Sequence, residues 1–374
     1  MPVTISSNFD SGAIEVLSAA GAADITLHIR KDSHADFRQW FHFRLSDARG
    51  TACTLRFENA GACTYPDGWK DYRAVASYDR ERWFRVPTRF EGGVMTVEHT
   101  PERDAVWYAY FEPYSWERHQ ALIGRAGESP LVRVERLGAT VEGRDLDLLS
   151  VRGENGEAPK TVWIIARQHP GESMAEWFVE GLVERLLDRA DPVSRRLLER
   201  AVFHIVPNMN PDGAVRGNLR TNAAGANLNR EWMNPSLETS PEVFRVRERL
   251  QQTGVDAFFD IHGDEALPYV FVAGGEMLPG FTPEQSQAQS DFIASFKRAS
   301  PDFQDVHGYG AGKYREDALK LASKWVGHTH GCLALTLEMP FKDNANLPDR
   351  HAGWSGERSR KLGAAMLEPL LASL

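Results

Sequence analysis

The sequence predicts a mixed-sheet α/β domain over residues 116–374, preceded by an all-β sandwich over residues 1–115. In the first part, short apolar runs alternate with turn residues and helix signals are few, which is typical of a sandwich. From about residue 131, strand-like apolar runs alternate with segments of helical periodicity, which is typical of an α/β domain. The length of 374 residues allows two or three domains, so the chain can hold both.

The predicted strands are short runs rich in β-branched and aromatic residues, bounded by turn residues. Those of the sandwich are GAIEVL, ADITLHIR, WFHFRL, CTLRFENA, GVMTVEHT and VWYAYFEPY. A connecting helix and loop, SWERHQALIGRAGESP, follows at 115–130. The second part predicts the strands VRVERLGAT, LDLLSVRG, TVWIIARQ, VFHIVPNMN, DAFFDIHG and CLALTLEM, with helices at 172–189, at 192–201 and near 241–252. The polar stretch 280–292 predicts a loop that leads into a helix.

Composition and charge exclude several function classes. Hydrophobic residues make up 42% and charged residues 25%, as in ordinary soluble globular proteins. A net charge of −9 and a pI of about 5.8 argue against nucleic-acid and anionic-membrane partners. No apolar run reaches the roughly 18 residues of a transmembrane helix, and the start lacks the pattern of a signal peptide. Three cysteines without metal-type spacing indicate a reducing cytoplasm.

Polar residues collect where four of the predicted strands end. In open α/β sheets, ligands bind outside the carboxyl ends of the strands. The polar residues are His169 and Glu172 after TVWIIARQ, Asn208, Asn210 and Asp212 after VFHIVPNMN, His262 after DAFFDI, and Glu338 after CLALTL. Residues that are distant in sequence are therefore expected to converge at one rim of the sheet.

His169, Glu172 and His262 are the predicted zinc ligands, because two histidines and a carboxylate, with water at the fourth position, suit a catalytic zinc. Glu338 is then available as a general base. Each residue alone has an ordinary explanation. A histidine at a strand end is often only hydrogen-bonded, and Glu172 in a first helical turn favours the macrodipole. Their combination with the next segment favours the metal site.

That segment, NPDGAVRGNLRTNAAGANLNREW (210–232), is a polar loop rich in arginine and asparagine. Arg216, Arg220 and Arg230, with Asn229 beside the last, indicate recognition of an anion or a carbonyl group. Arginine pairs with a carboxylate through two parallel hydrogen bonds, which lysine cannot reproduce. A solvated loop is the alternative.

Taken in order, the motifs resemble those of the zinc metallocarboxypeptidases of the carboxypeptidase A type, in particular a bacterial-like member of the cytosolic carboxypeptidase subfamily. The motifs are RLGATVEGRDLDLLSVRG, RQHPGES, NPDG, GNLR, NLNREW, DIHG and TLEMPF. In the first 115 residues, FDSG, SYDRERWFRVPT and YFEPYSWERHQ resemble the β-sandwich of that subfamily. The resemblance implies a mixed-sheet zinc carboxypeptidase domain behind the sandwich, and one zinc ion per chain.

The resemblance also implies a role for residues in these motifs. His169, Glu172 and His262 match the zinc ligands, and Glu338 matches the general acid/base. Zinc lowers the pKa of bound water from 15.7 to about 7, and a carboxylate can take the proton and deliver it to the leaving amine.

Three further matches concern the substrate. Arg220 matches the arginine that polarises the scissile carbonyl, and Asn229 with Arg230 matches the pair that holds the terminal carboxylate. An arginine at the oxyanion is worth roughly 3 kcal/mol by analogy with oxyanion-hole deletions. A buried arginine fork disfavours an internal peptide bond, because it would leave the charge unpaired. The implied enzyme is therefore an exopeptidase.

Two departures from the family pattern stand out. Related enzymes often carry aspartate where this chain has Asn227. The amide oxygen can still accept from a zinc-bound histidine, but a carboxylate raises ligand basicity more, so Asp260 is a candidate to replace it. The substrate-capping tyrosine is matched by Tyr314 from its distance to Glu338, with Tyr309 as the alternative.

The segment before the Glu338 strand, YREDALKLASKWVGHTHG (314–331), is expected to line the pocket for the departing side chain. Lys324 is the first choice for a cation that selects Glu or Asp, and Arg315 is the second. The resemblance to cytosolic carboxypeptidases also implies an acidic preference. Alternatively, Lys320 and Lys324 lie on a solvated helix face. His328 and His330 are predicted to be loop residues.

Three functions remain open on the sequence. The first is a zinc carboxypeptidase that removes C-terminal residues, in particular Glu or Asp, from peptides or protein tails. The second is a zinc amidohydrolase that cleaves small N-acyl amino acids. The third is a binding module without catalysis, against which the retention of Glu338 argues.

Overall fold

The structure, a computed structural model, describes residues 3–153, 159–276, 278–310 and 317–374. Its fold class is the predicted one, an N-terminal β-sandwich followed by an α/β part with a mixed sheet. The strands of the sandwich are β1 (Thr4–Ser6), β2 (Glu15–Gly21), β3 (Asp24–His28), β4 (His42–Ser46), β5 (Cys53–Phe57), β6 (Val75–Ser77), β7 (Trp83–Arg85), β8 (Thr88–Glu91), β9 (Val94–His99) and β10 (Ala105–Ala109).

These strands form two five-stranded sheets, ordered β1-β4-β10-β6-β7 and β2-β3-β5-β9-β8. Phe43 on β4 and Phe57 on β5 meet between the sheets, with ring centroids 6.2 Å apart. Buried residues alternate along β3 and β5, so each of these strands presents one apolar face to the interior. The strands β1, β6, β7 and β8 lie outside the predicted runs, because three or four residues are too few to show an alternating pattern.

The α/β part is built on a seven-stranded sheet of order β11-β12-β14-β13-β15-β17-β16. Its four central strands, β14, β13, β15 and β17, run parallel, and the outer ones pair antiparallel. The strands are β11 (Val132–Ala139), β12 (Asp145–Val151), β13 (Lys160–Ala166), β14 (Ala201–Val206), β15 (Ala257–Asp264), β16 (Phe271–Ala273) and β17 (Leu333–Pro340).

Helices cover both faces of this sheet. Ile164 of β13 packs into one apolar cluster with Phe178 and Leu182, while Trp163 packs into another with Val246 and Val326. The α-helices in the described residues are α1 (Trp116–Gly127), α2 (Met174–Leu186), α3 (Pro192–Arg200), α4 (Pro211–Arg216), α5 (Pro241–Thr253), α6 (Pro283–Ala299), α7 (Ala322–His330), α8 (Gly356–Ala365) and α9 (Leu367–Ser373). Short 3₁₀ helices lie at Ala60–Ala62, Pro66–Trp69, Leu228–Arg230 and Ala318–Lys320.

The structure corrects two local expectations. His328 and His330 were predicted in a loop, but they form the last turn of α7, which ends at Gly331 with a left-handed φ of 65°. The segment 210–232, predicted as a loop, begins with the helix α4 and contains a 3₁₀ turn. Within the described part of the chain, no helix has the length and apolarity needed to span a membrane.

The sandwich packs closely on the α/β part. Arg85 of β7 is buried, and its guanidinium donates hydrogen bonds to the main-chain oxygens of Phe341 (2.8 Å) and Trp354 (2.9 Å). Tyr110 stacks on Phe341 with a centroid separation of 4.5 Å. One continuous apolar cluster therefore includes residues of both parts.

Candidate active site

The turn between β13 and α2, residues 167–173, is fixed by a buried arginine. Arg167 has a left-handed φ of 58°, and its guanidinium donates to the oxygens of Pro170 (2.9 Å) and Tyr114 (2.9 Å) and to Glu176 Oε2 (2.7 Å). A non-glycine residue with positive φ is uncommon, and it persists where its surroundings hold it. These contacts set the direction in which the turn presents His169 and Glu172.

His169, Glu172 and His262 lie together at the carboxyl ends of β13 and β15. Glu172 Oε1 lies 2.7 Å from His169 Nδ1, and Oε2 lies 2.7 Å from His262 Nδ1. The three side chains are buried, and one donor atom from each lies within 4.8 Å of the others. Two imidazole nitrogens and a carboxylate form a donor set that suits zinc.

The outer nitrogens of both histidines have partners, which leaves Nδ1 of each ring turned toward the centre. His169 Nε2 lies 3.1 Å from Asn227 Oδ1, and His262 Nε2 lies 2.8 Å from Asp260 Oδ2. Asp260 is thus a partner of His262, and it does not take the place of Asn227 beside His169. Burial, together with the charge of Arg220, lowers the pKa of His169 to about 3, whereas the charges of Asp260 and Glu172 outweigh burial and raise the pKa of His262 well above its usual value.

Glu338 faces His262 from the neighbouring strand, β17, where the two are paired in register. The Glu338 side chain is buried, and its Oε2 has no hydrogen-bond partner among the described residues. Tyr309 Oη lies 2.8 Å from Glu338 Oε1 and 2.9 Å from Asp264 Oδ2. Burial raises the pKa of Glu338 to about 8, and the nearby charges of Glu172 and Asp264 add to this. The arrangement suits a group that exchanges protons near neutral pH.

These residues line a cavity of about 690 Å³, which Arg220, Asn229, Arg230 and Lys324 also line. Asn229 is held by its Oδ1, which accepts from the Ala322 N–H at 2.8 Å. Arg230 Nη1 donates to the Asn229 main-chain oxygen at 2.7 Å. The cavity therefore combines the zinc donor set with several acids and several cations.

Lys324 is half-buried in α7, and burial lowers its pKa to about 8. Glu276 is the neighbouring charge that favours its protonated form. Lys320 does not share this position, because it is exposed and forms an ion pair with Asp317 at 2.7 Å. The two other candidates from this segment, Tyr314 and Arg315, lie outside the described residues, whereas Tyr309 lines the cavity.

Several polar residues predicted at the rim or in the arginine-rich segment have structural partners instead. Arg216 pairs with Glu142. Asp212 accepts from Thr140 Oγ1 (2.9 Å) and the Glu142 N–H (2.8 Å). Asn208 donates to Glu176, and Asn210 caps α4 by accepting from the Gly213 N–H. These four residues hold the loop behind the cavity and do not line it.

Tyr65 and Glu265 are among the cavity-lining residues that sequence reasoning missed. Tyr65 comes from the sandwich, and no motif in the sequence marks it. Glu265 is buried with its Oε1 lacking a hydrogen bond to any described residue, and burial raises its pKa well above the usual value. The acidic pair that directly follows DIHG in the sequence was the available signal for Glu265.

Comparisons with known proteins agree with the fold and the site. The sequence pattern of the family described as zinc carboxypeptidase matches residues 124–352, and that of the cytosolic carboxypeptidase N-terminal domain matches residues 5–111. The chain therefore belongs to the zinc carboxypeptidase family, and it is a zinc-dependent metallocarboxypeptidase.

Among solved structures, the chain resembles a metallo-carboxypeptidase from Burkholderia cenocepacia, with 62% identity, a TM-score of 0.97 and coverage of 99% of this chain and 98% of the other. It also resembles a metallo-carboxypeptidase from Pseudomonas aeruginosa in complex with (2-guanidinoethylmercapto)succinic acid, with 47% identity, a TM-score of 0.95 and coverage of 98% of both chains. Mouse cytosolic carboxypeptidase 6 is 27% identical, over 91% of this chain and 67% of its own length.

Proposed function

We propose that this zinc carboxypeptidase removes C-terminal acidic residues, Glu or Asp, from peptides or protein tails. The observation that carries the proposal is the content of one cavity, in which the zinc donor set and Glu338 lie together with Arg220, Arg230 and Lys324. A substrate with a free terminal carboxylate and an acidic side chain brings two negative charges, and these cations can pair with both.

In this proposal His169, Glu172 and His262 hold one zinc ion, which, when bound, acidifies water and polarises a carbonyl group. Glu338 accepts a proton from the attacking water and delivers it to the leaving amine, a role that fits its buried position next to the donor set. Arg220 stabilises the charge that develops on the carbonyl oxygen of the scissile bond.

Asn229 and Arg230 bind the terminal carboxylate of the substrate. The Ala322 N–H fixes the orientation of the Asn229 amide, whose Nδ2 lies 3.4 Å from His262 Nε2. Nδ2 carries two hydrogens and is the end of the amide that can donate to an anion. An amidated or internal peptide bond offers no carboxylate to this pair, so the charged hydrogen bonds of a free chain end are not formed. This is the physical basis for cleavage at the chain end alone.

Lys324 selects the acidic side chain. It is half-buried in the cavity wall, where burial disfavours its ammonium form and the carboxylate of a substrate side chain would stabilise it. The cavity also contains the acids Glu276 and Asp305, so a basic departing side chain is the rival specificity to be tested. The structurally similar P. aeruginosa enzyme was solved with a ligand that has both guanidino and carboxylate groups. A peptide that ends in lysine must therefore be among the substrates tested.

The test compares peptides ending in Glu, Leu and Lys, and the Glu peptide with an amidated end, against the wild type and Lys324→Ala. We expect the free Glu peptide to be cleaved with the highest kcat/KM, and this preference to fall in the variant. Lys320→Ala is the matched control, because it removes an exposed lysine four positions away that is already paired with Asp317. It should leave the preference unchanged.

A wild-type preference for Leu or Lys would exclude the acidic specificity. An unchanged Glu preference in Lys324→Ala would exclude Lys324 as the selecting cation. N-acyl amino acids, included in the same assay by mass spectrometry, test the amidohydrolase function. Faster turnover of these small substrates than of any peptide would replace the proposal.

A further inference from the structure

The loop that carries Arg220, residues 217–221, is held by a carboxylate of the N-terminal sandwich. Asp32 lies in the connection between β3 and β4 and is 7% exposed. It accepts hydrogen bonds from three consecutive main-chain N–H groups, those of Leu219 (2.6 Å), Arg220 (2.8 Å) and Thr221 (2.9 Å), and one from Thr221 Oγ1 (3.1 Å). One side chain thus orients the backbone on both sides of Arg220.

The connection between β3 and β4 also forms hydrogen bonds with the start of this loop. The N–H and the hydroxyl of Ser33 donate to Asn218 Oδ1 at 3.1 and 3.2 Å. A side chain on Gly217, which has a left-handed φ of 68°, would place its Cβ 2.6 Å from the Ser11 oxygen. The loop therefore lies in close contact with the sandwich at Gly217.

On its other side the loop touches the turn that carries His169 and Glu172. The Gly171 N–H donates to the Leu219 oxygen at 2.9 Å, and a Cβ on Gly171 would lie 2.9 Å from that oxygen. The backbone of residues 219–221 is therefore fixed between Asp32 and the zinc-ligand turn.

The sandwich also contacts the Arg220 side chain. The guanidinium carbon lies 5.8 Å from the centre of the Phe37 ring and 5.5 Å from that of the Tyr65 ring. Cations at such distances from aromatic rings are attracted to them. An arginine side chain can rotate about several bonds. Both its backbone and its guanidinium group must therefore be held for the charge to have a fixed position.

We propose that Asp32 is a positioning residue for Arg220, so that the N-terminal sandwich completes the active site of the α/β part. This inference rests on the proposed role of Arg220 at the scissile carbonyl. A role of Asp32 in domain packing alone would not require that its hydrogen bonds end on residues 219–221. Tyr65, also a sandwich residue, lines the same cavity.

The test is a double-mutant cycle of Asp32→Asn and Arg220→Ala in the full-length zinc-loaded protein. The amide of Asn keeps one acceptor oxygen but replaces the other by an NH2 donor, which faces a main-chain N–H group, so the loop must shift. A displacement of about 1 Å can cost roughly 10²-fold in rate. We expect Asp32→Asn to lower kcat by about 10-fold or more with little change in KM or zinc content. In the Arg220→Ala background, Asp32→Asn should change kcat less than about twofold.

Asp36→Asn is the matched control, because Asp36 lies in the same connection but is exposed and paired with Lys31. It should leave kcat unchanged. If Asp32→Asn does not fold, Asp32→Glu enters the same cycle, because it keeps the charge and moves the acceptor atoms. Equal losses of kcat from the Asp32 substitution with and without Arg220 would overturn the inference. An Arg220→Ala variant with wild-type kcat would instead refute the proposed role of Arg220.

Discussion

The proposed proton transfer by Glu338 can be tested by a single substitution that keeps the shape of its side chain. Its Oε1 is next to the Tyr309 hydroxyl and its Oε2 is without a partner among the described residues, so it can bind a proton without breaking an existing hydrogen bond. Replacing it by Gln keeps the shape of the side chain but removes proton transfer. We expect Glu338→Gln to retain zinc and substrate affinity and to lose about 10²- to 10⁴-fold in kcat.

Single-turnover rates, KM and zinc content by atomic absorption check this prediction. His262→Ala is the contrasting variant, because it removes a proposed ligand and should lose zinc together with activity. Should Glu338→Gln keep most of the wild-type kcat, another group would have to move the proton.

Arg230 tests the recognition of the chain end. We expect Arg230→Ala to lower kcat/KM for free peptides by about 10- to 100-fold, mainly through KM, since a charged hydrogen-bonded pair is lost. Amidated peptides, which do not form that pair, should be affected much less. The measurement is the ratio of kcat/KM for free and amidated forms of one peptide. A ratio that stays at its wild-type value would place carboxylate recognition elsewhere.

For single residues, the sequence predicted which residues form the site better than it predicted their hydrogen-bond partners. The motif His169-x-x-Glu172 and the strand ends at His262 and Glu338 pointed to one rim, and the structure brings them together. Asp32 could not be found in this way. Its partners lie 187 to 189 positions away, and three of its four hydrogen bonds are to main-chain N–H groups, which any sequence carries.

Among the elements, α1 and α2 meet through a buried charge network that the sequence did not reveal. His119 of α1 lies 2.6 Å from Glu176 Oε1 and 3.2 Å from Asp147 Oδ2. Glu176 also binds Arg167, which shapes the zinc-ligand turn. The sequence marked the segment 115–130 only as a connecting helix, because a single histidine on a helix carries no pattern.

This network predicts a pH-dependent stability. Burial alone would lower the pKa of His119, but the charge of Glu176 and the hydrogen bonds with Asp147 and Glu176 outweigh it and raise the pKa to about 9. The unfolded value is about 6.5, so the folded state binds the proton more tightly. The stabilisation is therefore complete below pH 6.5 and is lost as the pH rises through 9, with a total of about 3 kcal/mol.

Urea unfolding at pH values from 6 to 10 measures this change. In His119→Gln the fall in the free energy of unfolding between pH 6.5 and 9 should be smaller than in the wild type. His204→Gln is the control, because burial lowers the pKa of His204 to about 4, outside this interval. Parallel pH profiles for the wild type and His119→Gln would contradict the assignment.

For the whole molecule, Arg85 is the residue that ties the sandwich to the α/β part. Besides the oxygens of Phe341 and Trp354, its guanidinium binds those of Ala352 (3.1 Å) and Arg73 (2.6 Å). We expect Arg85→Met to lower the free energy of unfolding by about 2–5 kcal/mol, because several buried carbonyl groups lose their donor. Arg89→Met, which removes an exposed pair with Glu98, should cost less than about 1 kcal/mol.

Unfolding of the wild type should follow one transition by tryptophan fluorescence and by circular dichroism, because one apolar cluster includes both parts. Two separated transitions would show that the parts are independent. The division of the chain at residues 115 and 116 stays a prediction. Composition and strand pattern predicted the two classes of fold, but the interface between them depends on contacts such as Tyr110 with Phe341, which no local pattern shows.

The hydrogen bonds of Arg85 also limit when, during synthesis of the chain, the junction between the two parts can form. The ribosome makes the chain from its N terminus, and Phe341 follows Arg85 by 256 positions. The sandwich is synthesised first, but the acceptors of this buried cation at Phe341, Ala352 and Trp354 emerge only after the strand β17 with Glu338. A nascent chain therefore cannot complete the junction before nearly all of the catalytic machinery exists.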